Sequence, residues 1–327
     1  MEVKKSGSPI KAGALILVPN TIDGFFAALG IKNHLIKQGV TPMVVRIHPC
    51  QLGKISLVDD LLIYIGGLGK KNCNSNTLDA FIEKFGDRIV FWADNHPGND
   101  YISEEIGKSH YNHASLEKHP VCISLLKKIW GSSVIKEEWV EAASFLETKL
   151  GKENAIAETY KKLMHVGRVE DASGQKQNLH DQFEDFYSDF LLSGRKEATE
   201  ISFFVERYDK IIADTKNAID DLHWSPDFPN QILLCRAEGQ VDKDLLISAA
   251  NRLSGKYLLI IQHESLAESP ITTMIATRPE LIPAAYQKNV ATRVFIPGDH
   301  EKTLKSIYQS LIPSFHQKPA ETSSAMV

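Results

Sequence analysis

The chain is poor in the features that mark specialised protein classes. Its four cysteines, Cys50, Cys73, Cys122 and Cys235, stand far apart in 327 residues, and no CxxC or Cys/His pair has zinc spacing. That argues against a disulfide scaffold and a structural zinc, and it suits a reducing cytosol, so a cytoplasmic protein is expected. No apolar run reaches the ~20 residues of a membrane span, so no membrane partner is expected. After MEVKKSGSPIKAG only ALILV precedes Pro19-Asn20, which is too short for the core of a signal peptide. The net charge is only −4, which weighs against whole-molecule attraction to nucleic acid or anionic lipid. Repeats and low-complexity tracts are absent, and residues 317–327 read as a disordered polar tail.

Familiar catalytic strings are missing too. Gly66–Lys71, GGLGKK, invites a phosphate-loop reading. A Walker loop needs GxxxxGK followed by Ser or Thr, but Tyr64 stands in the first glycine's place and Lys71 in the hydroxyl's. A Gly-rich turn from strand to helix is the better reading. There is no GxGxxG, and no serine sits in a GxSxG elbow. His110-Tyr111-Asn112-His113 reads as an exposed polar loop rather than a metal pair.

What remains is an ordinary globular composition, 43% hydrophobic and 24% charged, long enough for two domains. Residues 12–18 (AGALILV) read as a buried strand, PNTIDG as a break, and 25–39 as an apolar-faced helix. Further strands are expected at 41–49, 60–65 and 87–93, with a helix over 78–85. Continuous apolar strands alternating with helices predict a parallel sheet covered on both faces. Ligands of such sheets bind in the loops beyond the carboxyl ends of the strands, here PNTIDG, GGLGKK and DNHPGND. From about Ser103 to Leu222 the period turns helical. HWSPDFPN, with two prolines, reads as a joint. Strands at 231–239, 256–265, 271–278 and 292–298, with helices at 241–255 and 299–312, make a smaller C-terminal α/β unit. The expected fold is α/β: a parallel-sheet N-terminal domain with its helical part (1–190), a connecting helix and linker (191–229) and a smaller α/β domain (230–316), with a cleft between the two domains.

Polar residues collect at the strand ends. Asp23 follows strand one, Gly66 strand three, and Asp94 with His96 strand four. Acids and histidines gathered there are how an α/β fold assembles hard-metal and phosphate chemistry. Taken singly, Asp23 also reads as a helix cap and Asp94-Asn95 as a turn.

The ordered set resembles the DHH phosphoesterase superfamily, which includes RecJ-like exonucleases, oligonucleotide-degrading phosphodiesterases and inorganic pyrophosphatases. The family's first motif, HxDxDG, stands here as Pro19-Asn20-Thr21-Ile22-Asp23-Gly24, with Asp23 and Gly24 matching. Its second motif, an aspartate ending a strand, falls at Gly66 after Asp60–Ile65. The third, Asp-His-His, stands as Asp94-Asn95-His96. The fourth, an aspartate at a helix end among small residues, is best represented by Glu147. Residues 239–254 are similar to part of the family's associated domain, and Arg278 of TMIATR stands near its stretch that holds an oligonucleotide end.

The resemblance implies chemistry with two Mn²⁺ or Mg²⁺ ions, each needing several carboxylate or imidazole ligands. This chain keeps Asp23 and Glu147 as metal candidates, while Pro19, Thr21, Gly66 and Asn95 replace family ligands. The expected function is therefore a degenerate family member with no metal cofactor and no ordinary phosphodiesterase turnover. It would bind a small phosphate-bearing ligand, a short oligonucleotide end or a protein partner through Asn20, Thr21, Asp23, Asn95 and Arg278. The alternative is an active phosphoesterase with a rebuilt Mn²⁺ or Mg²⁺ site, with Asp94 and His96 catalytic and His96 as general acid. A third reading makes the match coincidental and the chain another doubly wound protein.

Overall fold

The computed structural model describes residues 13–57, 61–69, 73–96, 111–114, 119–172, 179–194, 199–253, 257–264, 271–277, 281–282, 286 and 293–315. The chain divides into two compact units: Met1–Lys161 with Asp181–Lys196, and Lys162–His180 with Glu197–Val327.

The first unit carries β1 (Ala14–Pro19), β2 (Pro42–Ile47), β3 (Leu62–Gly66), β4 (Ile89–Asp94) and β5 (Tyr111–Ala114), in the order β2-β1-β3-β4-β5. Every pairing is parallel. β1 reads ALILVP and is buried along its whole length, as a central strand covered on both faces must be. Alternation then sends its side chains to two sides. Leu15 and Leu17, with Ile63, Ile65 and Trp92, pack against α2 (Ser75–Phe85) through Leu78 and Phe81. The other face is covered by α1 (Ile22–Lys37), α3 (Cys122–Trp130) and α4 (Glu137–Thr148). Burial of Phe25, Phe26, Leu29, Ile31 and Leu35 ties α1 to this core by the hydrophobic effect.

The helical part supplies α5 (Ala155–Ala172) and α6 (Leu179–Ser193). Tyr160 and Tyr187 sit with Phe25 in one aromatic cluster, their rings 4.8 and 6.2 Å from the Phe25 ring. Beside it, Arg46 of β2 forms a buried ion pair with Glu184 at 2.5 Å, and the Tyr160 hydroxyl donates to the same carboxylate.

The second unit holds α7 (Thr199–Asp220), β6 (His223–Trp224), β7 (Ile232–Ala237), α8 (Lys243–Ala250), β8 (Leu258–His263), β9 (Ile271–Ala276), β10 (Arg293–Pro297) and α9 (His300–Phe315). Its strands run in the order β10-β9-β8-β7-β6. Only β7 and β8 pair in parallel; the other pairings are antiparallel. The α/β class expected for both parts is what the chain adopts.

Two details differ from the expectation. Of HYNH, Tyr111–His113 is not a loop: Tyr111–Ala114 is a strand paired with β4, Phe91 opposite Tyr111. Tyr, Asn, His and Ala make no apolar run, and the pairing surface of β4 selects the strand. The joint HWSPDFPN begins with the two-residue strand β6, held against Leu233 and Leu234. No helix among the described residues is long and apolar enough to cross a membrane. All four cysteines are free, with Cys50 exposed and the other three buried.

Candidate functional site

β1 delivers its chain to the carboxyl edge of the sheet at Pro19, and α1 begins three residues later. Thr21, extended at φ −144° and ψ 166°, is the N-cap, and its hydroxyl oxygen accepts the Gly24 N–H at 3.1 Å. The capping role open to Asp23 thus belongs to Thr21. Asn20 and Thr21 are both exposed. Gly24 is required by contact: a Cβ there would lie 1.9 Å from the Pro19 carbonyl oxygen. The Asp-Gly pair therefore marks a close approach of helix to strand end.

Asp23 turns inward and is 8% exposed. Its Oδ1 accepts the backbone N–H of Cys122, the first residue of α3, at 2.7 Å. Its own N–H donates to Glu147 Oε1 at 2.9 Å. Glu147 lies near the end of α4 and is otherwise exposed. Burial pushes the Asp23 carboxyl from its ordinary 3.8 up to about 7. The Cys122 N–H opposes that shift, Glu147 adds to it, His96 opposes it and Asp94 adds to it. These influences put Asp23, Glu147, His96 and Asp94 within electrostatic reach of one another.

β4 ends at Asp94, which is 1% exposed, and His96 Nδ1 lies 2.7 Å from Asp94 Oδ1. The His96 side chain is 28% exposed, so the buried acid holds an imidazole that reaches solvent. Asn95 is buried between them in sequence. Its Nδ2 donates to the His119 carbonyl at 3.4 Å, while its Oδ1 has no hydrogen-bond partner among the described residues. An orphaned buried acceptor is uncommon.

The third strand end corrects the reading of Gly66. A Cβ at Gly66 would lie 3.0 Å from both Ala27 Cβ and Ile31 Cδ1, inside the packing of α1. Gly67 is the residue that faces the site. A Cβ there would lie 3.6 Å from Asp23 Oδ2, and its φ of +69° favours glycine. The turn is fixed by the Gly67 N–H to the Ala93 carbonyl at 2.8 Å and by Trp92 Nε1 to the Leu68 carbonyl at 2.6 Å.

Two thiols adjoin these carboxyls. Burial, followed by Asp23 and then Asp94, pushes the Cys122 thiol well above its ordinary range. Burial followed by Asp94 pushes Cys73 up to about 11. Both stay protonated near neutrality and are not nucleophiles.

Among the described residues, Asp23, Asp94, His96 and Glu147 form no group of three whose ligand atoms lie within 4.8 Å of one another. Nor does residue 67 offer a side-chain oxygen between them. In this arrangement the four described side chains are not gathered as donors around one point, whereas a hard divalent ion needs several oxygen or nitrogen donors. Arg278 lies outside the described residues, as does His110. The sequence puts forward Asp23, Asp94, His96 and Glu147 as candidates, and the structure brings these four within electrostatic reach of one another. Sequence reasoning missed Gly67 and the Cys122 backbone, which only the tertiary fold brings to Asp23.

No protein-family model matches the chain, and no curated protein matches it. Solved structures align with it loosely. The pGpG-specific phosphodiesterase PggH from Vibrio cholerae is 12% identical over 92% of this chain and 98% of its own, with a TM-score of 0.41. RecJ from Thermus thermophilus, in complex with Mn²⁺, is 9% identical over 94% of this chain, with a TM-score of 0.36, and this chain spans 52% of it. CDC45 from Entamoeba histolytica is 10% identical over 93% of this chain and 95% of its own, with a TM-score of 0.30. Likenesses this loose carry no argument about chemistry.

Proposed function

We propose that this protein is a degenerate relative of the DHH phosphoesterases that binds a phosphate-bearing ligand, such as a short oligonucleotide end, without two-metal hydrolysis. One observation carries the reading: the retained acids are committed to the fold. Asp23 Oδ1 takes the Cys122 N–H, Glu147 Oε1 takes the Asp23 N–H, and Asp94 Oδ1 faces His96. Acids used this way order a loop cluster rather than gather around ions.

The groups left to meet a ligand are His96 and the exposed Asn20 and Thr21, with the open acceptor of Asn95 behind them. His96, held by Asp94 at 2.7 Å, supplies a ring N–H donor to a phosphate oxygen. Asn20 and Thr21 add neutral donors. Arg278 joins this set on sequence grounds alone.

The test is calorimetry of the full chain with a 5′-phosphorylated dinucleotide and, separately, with Mn²⁺. Saturable dinucleotide binding weakened about 10-fold or more by His96→Ala, no pair of tight Mn²⁺ sites and no release of mononucleotide is the expected result. Two tight Mn²⁺ sites with turnover abolished by Asp94→Ala would overturn it. The Asp94–His96 pair favours that second reading, an active enzyme with His96 as general acid, because a buried acid orients an imidazole in the same way in many hydrolases.

A further inference from the structure

The first unit has another concavity, over the beginning of β4 and away from Asp94 at its end. The cavity measures about 460 Å³. It is lined by Tyr64 of β3, Val90 and Phe91 of β4, His34 of α1 with the C-cap Gln38, and Trp130 of α3. Its rings are aligned. Trp130 stacks on Phe91 with centroids 4.7 Å apart and planes 29° apart, and His34 stacks on Trp130 at 4.1 Å and 2°. Tyr64 adds a fourth ring, 6.3 Å from Phe91.

The walls are preformed. α3 stops at Trp130 because Gly131 takes φ +77°. The chain after it is tied back to α1 by Asn33 Nδ2 to the Val134 carbonyl at 2.5 Å and by Lys37 Nζ to the Ser133 carbonyl. Gly30 lets α3 come close, since a Cβ there would lie 2.9 Å from Ile135 Cδ1 and 3.1 Å from Leu126 Cδ1.

The chemistry of the lining is narrow. Among the described residues it is lined by aromatic rings, the Tyr64 hydroxyl, and the Gln38 amide bonded through Nε2 to His34 Nε2 at 2.8 Å, but by no carboxylate, ammonium or guanidinium. Burial lowers the His34 pKa, so that ring is neutral at pH 7. Small-molecule sites of about 300–1,000 Å³ share this composition of aromatic walls with a few placed polar groups. A charged ligand would lose hydration here without gaining a counter-charge.

We infer that this cavity is a binding site for an uncharged, planar heteroaromatic compound of about nucleoside size, packed along the edges of the Phe91–Trp130–His34 ring stack and hydrogen-bonded at its own edge by Gln38 and Tyr64. The site is separate from the Asp94–His96 end and does not rest on the function proposed for it.

The full chain is titrated with adenosine, caffeine and AMP by saturation-transfer NMR and calorimetry. Adenosine and caffeine are expected to bind saturably, with AMP no tighter than adenosine. Trp130→Ala removes the middle ring of the stack that lines the cavity and should weaken adenosine by about 5-fold or more. Gln38→Ala, on an exposed position that leaves the fold intact, should weaken adenosine about 2- to 10-fold and leave dinucleotide binding unchanged. The inference is overturned if neither uncharged ring binds, if AMP binds more tightly than adenosine, or if Gln38→Ala and Trp130→Ala leave adenosine affinity unchanged.

Discussion

Asp23→Asn is the substitution that speaks most directly to the state of the candidate site. The carboxyl is buried and held at about 7 instead of 3.8. The folded protein therefore binds a proton that the unfolded chain releases, and stability falls as pH rises between those values. At about 1.36 kcal/mol per unit, a rise of about three units amounts to a loss of roughly 4 kcal/mol, complete above pH 7 and absent below pH 4. Asparagine has the same shape, and its Oδ1 still accepts the Cys122 N–H. The variant should match the parent at pH 4–5 and exceed it by roughly 2–4 kcal/mol at pH 8, after allowance for a weaker, uncharged hydrogen bond. Urea unfolding of the full chain from pH 4 to 8.5, followed by the fluorescence of buried Trp92 and Trp139, measures the difference. A variant that stays parallel to the parent across this range, or is less stable at pH 8, would refute the assignment of a neutral Asp23. Repeating the series with Mn²⁺ separates the readings further. A bound ion would keep Asp23 ionised and make asparagine the weaker variant when metal is present.

Four more substitutions test the framework. Gly24→Ala drives a methyl into the Pro19 carbonyl, 1.9 Å away, and should cost about 3 kcal/mol, read as a fall in melting temperature. Gly67→Asp places a second carboxyl beside Asp23 on a left-handed residue. It should lower the melting temperature more at pH 8 than at pH 5, and an equal loss at both would point to strain alone. Arg46→Met leaves Glu184, 1% exposed, without its partner and should cost about 3–5 kcal/mol. Tyr160→Phe, which removes only one donor to that carboxylate, should cost about 1 kcal/mol by the same denaturation assay.

The apolar runs 12–18, 60–65 and 87–93 declare themselves as strands because a doubly covered sheet needs continuous hydrophobic residues, and all became β1, β3 and β4. β5 carries no such signal, since YNHA is selected by pairing with β4 rather than by its own burial pattern. The site was legible to the level of residue type. Asp23, Asp94 and His96 sit at strand ends because topology puts every β-to-α loop on one edge. Which glycine faces Asp23 was not legible. Successive residues at a strand end point to opposite sides, so a one-residue uncertainty moves a ligand position from the site into the helix packing. The unpaired Asn95 Oδ1 is a property of one atom and leaves no trace in sequence.

The cysteines have a practical consequence. Cys50 follows the end of β2, on the edge of the parallel sheet where Asp94 also lies, and it is the exposed thiol of the four. Cys73 and Cys235 are buried with thiols pushed up to about 11 and about 12, and the buried Cys122 thiol is pushed well above its ordinary range. A maleimide dye at neutral pH will therefore mark one position of the unmodified chain, beside the loop that carries Asn20, whose N–H donates to the Ile47 carbonyl at the end of β2. Occupancy of that edge can be followed as a change in dye emission, and loss of the fold as the delayed alkylation of the remaining sulfurs.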